Sequence, residues 1–127
     1  MLGLVEESLR EALAPVLRDL ARTGLGAPRF EDPTSDSEHA EAMMRAADGS
    51  GRGVSVRRSA ALAVRVADAA DQVQEWAIEF QLWGSAPTNW PQCPSHPDSH
   101  PMRAVVLGET AVWACPDSDS VTVRIGG

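Results

Sequence analysis

The chain has 127 residues, 43% of them hydrophobic and 23% charged, and a formal net charge of −7. That length predicts one domain, spanning 1–127, and the composition excludes a disordered chain. The negative charge argues against a nucleic-acid backbone or an anionic membrane as partner, and no run approaches the roughly 20 apolar residues of a membrane span.

Within that frame bulky apolar groups are scarce. Ala supplies much of the hydrophobic share, Tyr is absent, and Phe30, Phe80 and four Trp are the only aromatics. A small core of this kind gains from a metal or a partner subunit, so a homodimer is one expectation. Glu6, Glu7, Arg10 and Glu11 interrupt what would be the apolar part of a signal peptide. The expected compartment is therefore the cytoplasm, where thiols stay reduced.

Val5, Leu9, Leu13, Val16, Leu17 and Leu20 recur at spacings of three and four, which predicts an amphipathic helix over 4–22 that ends at Gly24. Pro15 predicts a kink or a division of that helix. Residues 25–39, rich in Pro, Ser and acidic groups, read as a surface connection with a short extended piece around Arg29–Glu31. Asp48-Gly49-Ser50-Gly51 lies between Ala42–Ala46 and Gly53–Arg57, where Val54 and Val56 alternate with polar residues. That pattern predicts a β-hairpin.

Leu62, Val66, Ala69, Val73, Ala77 and Phe80 share one helical face over 60–83, with Ser59 as cap and Gly84 as stop. Trp76, Ile78, Phe80 and Leu82 also alternate as a strand would, but length and Ala content favour helix. The apolar stripe of 4–22 fits a docking surface or plain core packing, and core packing is the simpler account. Five prolines between Pro87 and Pro101 predict a loop without a long regular element. Three short strands follow, Ala104–Leu107, Ala111–Cys115 and Val121–Ile125.

Both cysteines and two of the three histidines fall in the last third, as Cys93, His96, His100 and Cys115, spaced C-x2-H-x3-H-x14-C. Zinc takes a tetrahedral shell of thiolate and imidazole, and two thiolates cancel its charge so that the shell can be buried. Each of the four stands directly before a proline, which stiffens the chain at that point. A hairpin can return Cys115 beside the loop. Soft sulfur with nitrogen selects zinc over Mg²⁺ and Ca²⁺. Buried non-ligating cysteines, exposed loop histidines, or a Cys93–Cys115 disulfide are the competing readings.

The run W-P-Q-C-P-S-H-P-D-S-H-P-M, the later A-V-W-A-C-P and, more loosely, A-D-Q-V-Q-E-W-A-I-E-F-Q-L-W resemble a group of small uncharacterised actinobacterial proteins. The likeness covers chiefly 70–116. It implies a bacterial cytoplasmic protein and carries no activity.

The predicted architecture is α+β: two amphipathic helices, a central β-hairpin and a small antiparallel C-terminal sheet following a Pro-rich loop. The predicted function is a cytoplasmic protein-interaction or regulatory module stabilised by structural zinc at Cys93, His96, His100 and Cys115, with a protein partner. The alternative is a small zinc-dependent hydrolase, for which Asp98, Glu75 and Glu79 are the visible acid or base candidates.

Overall fold

A computed structural model of the chain describes residues 5–80 and 89–127. The fold is α+β, with helix α1 (Glu7–Arg22), strands β1 (Arg29–Ser35), β2 (His39–Arg45) and β3 (Gly51–Arg57), and helix α2 (Leu62–Phe80). Five strands follow: β4 (Gln92–Cys93), β5 (His96–Pro101), β6 (Arg103–Leu107), β7 (Thr110–Cys115) and β8 (Ser118–Arg124). They form three antiparallel sheets, β1-β2-β3, β4-β5 and β6-β7-β8. No helix among the described residues is long and apolar enough to cross a membrane.

The predicted stripe of α1 is its core face: Leu9, Leu13, Val16 and Leu20 are fully buried. Its end is a Schellman turn. Gly24, at φ 78°, donates its N–H to Ala21 O, and Leu25 N–H reaches back to Leu20 O. Of the two outcomes expected at Pro15, a kink or a division, the division does not occur. The bond it removes is outweighed by burial of Leu13 and Val16 on either side, since packing rather than propensity holds most helices.

Pro15 has a second role in packing. Gly126, at φ 77°, lies so close that an added Cβ would sit 2.6 Å from Pro15 Cα and Cβ. Its N–H donates to Asp19 Oδ2 at 2.9 Å, and its carbonyl accepts from Arg18 Nε at 3.2 Å. Gly126→Ala therefore combines left-handed backbone with a clash. It is expected to cost about 2 kcal/mol or more, read by urea denaturation.

The predicted hairpin is larger than expected: β1 adds a third strand. Register Ala42↔Val54 and Ala40↔Val56 buries both valines, and the turn is closed by Asp48 accepting from Ser50 N–H at 3.0 Å. β1 was legible only around Arg29–Glu31 because Phe30 alone is buried on it, and Pro33 sits within it. An edge strand tolerates that proline, at an irregularity between Glu31 and Thr34 where Asp32 has φ 52°.

Helix α2 buries Val66, Ala69, Val73 and Ala77 as predicted, and also Trp76. Leu62, placed on the same face from sequence, is 51% exposed. Nor does Ser59 cap the helix, which starts at Leu62 with Arg65 N–H donating to Ala61 O. Residues 81–83 and the proposed stop Gly84 lie outside the described residues. Gln72 pairs its amide with the backbone of Ser55, donating to its carbonyl at 2.8 Å and accepting from its N–H at 2.9 Å. The two helices pack on each other and on β2 and β3, and α2 also contacts β6 and β7. One contiguous apolar cluster runs through all of these, from Leu9 to Trp113 and Cys115.

Candidate metal centre

The described part of the Pro-rich segment is not a plain loop but a small hairpin. Cys93 and His96 are direct register partners, joined by the two-residue link Pro94-Ser95. Cys115 and Ser118 are partnered in the same way across Pro116-Asp117. Each Cys-Pro pair thus opens a tight two-residue turn. Proline is suited to the position after the cysteine because its fixed φ matches the first central residue of a turn.

His96 and His100 lie on β5 four residues apart. A regular strand would set residues four apart about 13 Å from each other, so the irregular register of this hairpin between Gln92 and Cys93 is what lets the two imidazoles meet. Their ring centroids are 5.0 Å apart. From the neighbouring sheet, Cys115 at the end of β7 closes the group.

The four ligand atoms all lie within 4.8 Å of one another. His96 Nδ1 is 3.7 Å from Cys93 Sγ and 3.7 Å from Cys115 Sγ, and His100 Nε2 is 4.0 Å from Cys115 Sγ. A tetrahedral zinc shell, with its known bond lengths, separates sulfur from nitrogen by about 3.6 Å. Those three sulfur–nitrogen distances are close to that spacing, and the group as a whole is compact enough to take one metal ion.

Cys93 and Cys115 are buried free thiols, so they are not joined as a disulfide. Both imidazoles are only partly buried. The site thus has a dry sulfur side and a wetter imidazole side. Burial pushes the Cys93 thiol up, but hydrogen bonds from the His96 ring, the Ser95 amide, the Cys115 thiol and the His96 amide outweigh it and bring it down to about 7. Thiolate is the form that binds metal.

His100 Nδ1 is 3.1 Å from the Pro101 carbonyl, and its Nε2 is the ring nitrogen on the side of Cys115. That same Nε2 is 3.2 Å from Asp117 Oδ2, at the exposed rim.

Two tryptophans hold the ligand-bearing segments in place. Trp90, three residues before Cys93, donates its indole N–H to Thr23 Oγ1 at 2.9 Å. Trp113, two residues before Cys115, donates to Asp19 Oδ2 at 2.9 Å. The rings meet edge to face with centroids 5.4 Å apart. Both anchors are thus fixed to the last turn of α1 and its cap. The repeated Trp-x-Cys-Pro and Trp-x-x-Cys-Pro pattern was the available signal for this, and sequence reasoning did not use it.

Gln74 of α2 was also missed. Its amide donates to the carbonyls of Trp90, at 3.1 Å, and Met102. It carried no signal, because a glutamine in a helix reads as surface.

The acid and base candidates of the hydrolase reading do not join this group. Glu75 and Glu79 are exposed and pair with Arg52 of β3, at 2.8 and 3.4 Å. The side chain of Asp98 lies outside the described ones. His39, the third histidine, is on β2 in a different sheet.

Compared with family models, with curated proteins and with solved structures, the chain matches none. Any functional reading therefore stands on the cluster itself.

Proposed function

We propose that Cys93, His96, His100 and Cys115 hold one zinc ion with a structural role, in a small module that works by contact with another protein. The observation that carries this is the convergence of two sulfurs and two imidazole nitrogens, from two sheets, to within 4.8 Å. The donor set favours zinc, since thiolate with imidazole in a tetrahedral arrangement is its usual environment. Two thiolates neutralise Zn²⁺, which suits a site whose sulfurs are buried.

Four protein ligands complete a tetrahedron, and that favours a structural ion over one that activates water. Such an ion ties the β4–β5 hairpin to β7, two pieces that share no backbone ladder. The interaction half of the reading is supported by apolar side chains left in solvent. Val106, Leu107 and Val123 of the last sheet are 37%, 54% and 44% exposed.

Elemental analysis of the purified chain, combined with its mass under native conditions, tests both halves. One zinc per chain is expected, and the mass tells whether a second copy is the partner. Protein that carries no transition metal after purification without chelator, and takes up none on titration, would defeat the reading.

A further inference from the structure

We infer that Gln74 is a positioning residue of the metal centre, clamping the two stems of the ligand-bearing hairpin from the helical side. This rests on reading Cys93, His96, His100 and Cys115 as metal ligands. Among the described residues Gln74 is the one buried polar side chain, 7% exposed, between the fully buried Val73 and Trp76 of the same helix. A buried amide placed among apolar neighbours is retained only where its donors are used.

Both donors go to one place. Gln74 Nε2 donates to the carbonyls of Trp90 and Met102. Trp90 precedes Cys93 by three residues, and Met102 follows His100 by two. Three of the four ligands therefore lie on the chain between the two carbonyls that one amide holds. The paired strands of this hairpin run only from Cys93↔His96 to Gln92↔Pro101. Met102 N–H then donates to Pro91 O at 2.9 Å, and Gln74 closes the open end beyond it.

The physical consequence is preorganisation. A metal that must gather three ligands from a short loop loses affinity if the ends of that loop are free, because ordering them is charged against binding. Fixing the stems in advance removes that cost. Among the described residues its donors go to the Trp90 and Met102 carbonyls, so its effect is through the backbone of the loop.

The test is zinc affinity of the full chain, measured by competition with a chromophoric chelator. Gln74→Met keeps the side-chain volume and removes the amide. Gln72→Met is the control, because Gln72, on the same helix, also bonds backbone through its amide, donating to and accepting from Ser55 of β3, away from the cluster. Gln74→Met is expected to bind zinc about 10–100-fold more weakly, as when groups that orient metal ligands are removed. Its Co²⁺ form should show a weaker or shifted tetrahedral absorption. Gln72→Met should stay within about twofold of wild type and keep the Co²⁺ spectrum, even where its unfolding midpoint falls.

Equal zinc affinity in Gln74→Met and wild type would overturn the inference, and so would an equal loss in Gln72→Met. If Gln74→Met does not fold, Gln74→Asn keeps the amide but withdraws it by one methylene. A loss of about threefold or more is then expected, and wild-type affinity in that variant overturns the inference. A wild type that binds no zinc defeats the metal reading itself and takes this inference with it. That is distinct from a wild type that binds and a variant that binds equally well.

Discussion

Cys93→Ser is expected to abolish stoichiometric metal binding and to lower the stability of the metal-loaded chain by about 4 kcal/mol or more, a loss rarely reached by single substitutions. Cys93 is fully buried at the turn that also presents His96, and in the proposed shell its sulfur would be one of the two that neutralise the ion. Serine keeps the shape but supplies no thiolate, so a buried positive charge would remain uncompensated. The loss should concentrate in the last two sheets. Helices α1 and α2 pack on β2 and β3 through their own apolar faces, and circular dichroism should show much of the helix signal retained. The decisive comparison is made in excess chelator, where wild type and variant should melt together within about 1 kcal/mol. If the difference persists without metal, Cys93 acts as a packed core thiol and the structural-ion account fails.

Trp113→Ala is expected to cost about 3–5 kcal/mol, the range for removing a large buried aromatic. Trp113 is 2% exposed, meets Trp90 edge to face, and donates to Asp19. The edge-to-face pair adds about 0.5–1.5 kcal/mol beyond area burial. Because Cys115 lies two residues further along β7, the substitution should also weaken zinc binding by about tenfold or more. Trp113→Phe keeps a single aromatic ring but loses the rest of the indole together with its N–H, so an intermediate cost of about 2–3 kcal/mol is expected from it. Urea denaturation measures the stability and chelator competition the affinity. Lost stability with unaltered zinc affinity in Trp113→Ala would show that the indole serves the core and not the centre.

Much of the fold was legible because the helices obey a clear periodicity. Leu9, Leu13, Val16 and Leu20 on α1, and Val66, Ala69, Val73 and Ala77 on α2, are buried as their spacing requires. The turn at Asp48–Gly51 and the end at Gly24 were legible from glycine chemistry. Where the reading failed, tertiary packing overrode a local rule. Pro15 continues a helix because its neighbours are buried, and β1 accepts Pro33 because it is an edge. Ser59 loses its cap role because the helix begins three residues later. In the Pro-rich segment, prolines were taken as breakers of regular structure. One of them, Pro94, instead occupies a tight turn where proline fits, as Pro116 does after β7.

The four cluster residues were legible for a different reason. Cys and His have few reasons to gather ahead of prolines in one short stretch, and the hairpin return of Cys115 followed from reading Ala104–Leu107 and Ala111–Cys115 as consecutive short strands. What supports them was hidden. Gln74, Asp19 and Thr23 act from helices, through bonds to carbonyls and indoles distant in sequence, and nothing local marks them.

The central claim is that these four side chains form one metal shell. X-ray absorption at the zinc edge, on protein loaded with one equivalent, tests it most directly. The account predicts two sulfur scatterers at about 2.3 Å and two nitrogen scatterers at about 2.0–2.1 Å, with the outer-shell signature of imidazole. A shell of oxygen and nitrogen without sulfur would contradict it, since zinc would then be bound elsewhere than at Cys93 and Cys115.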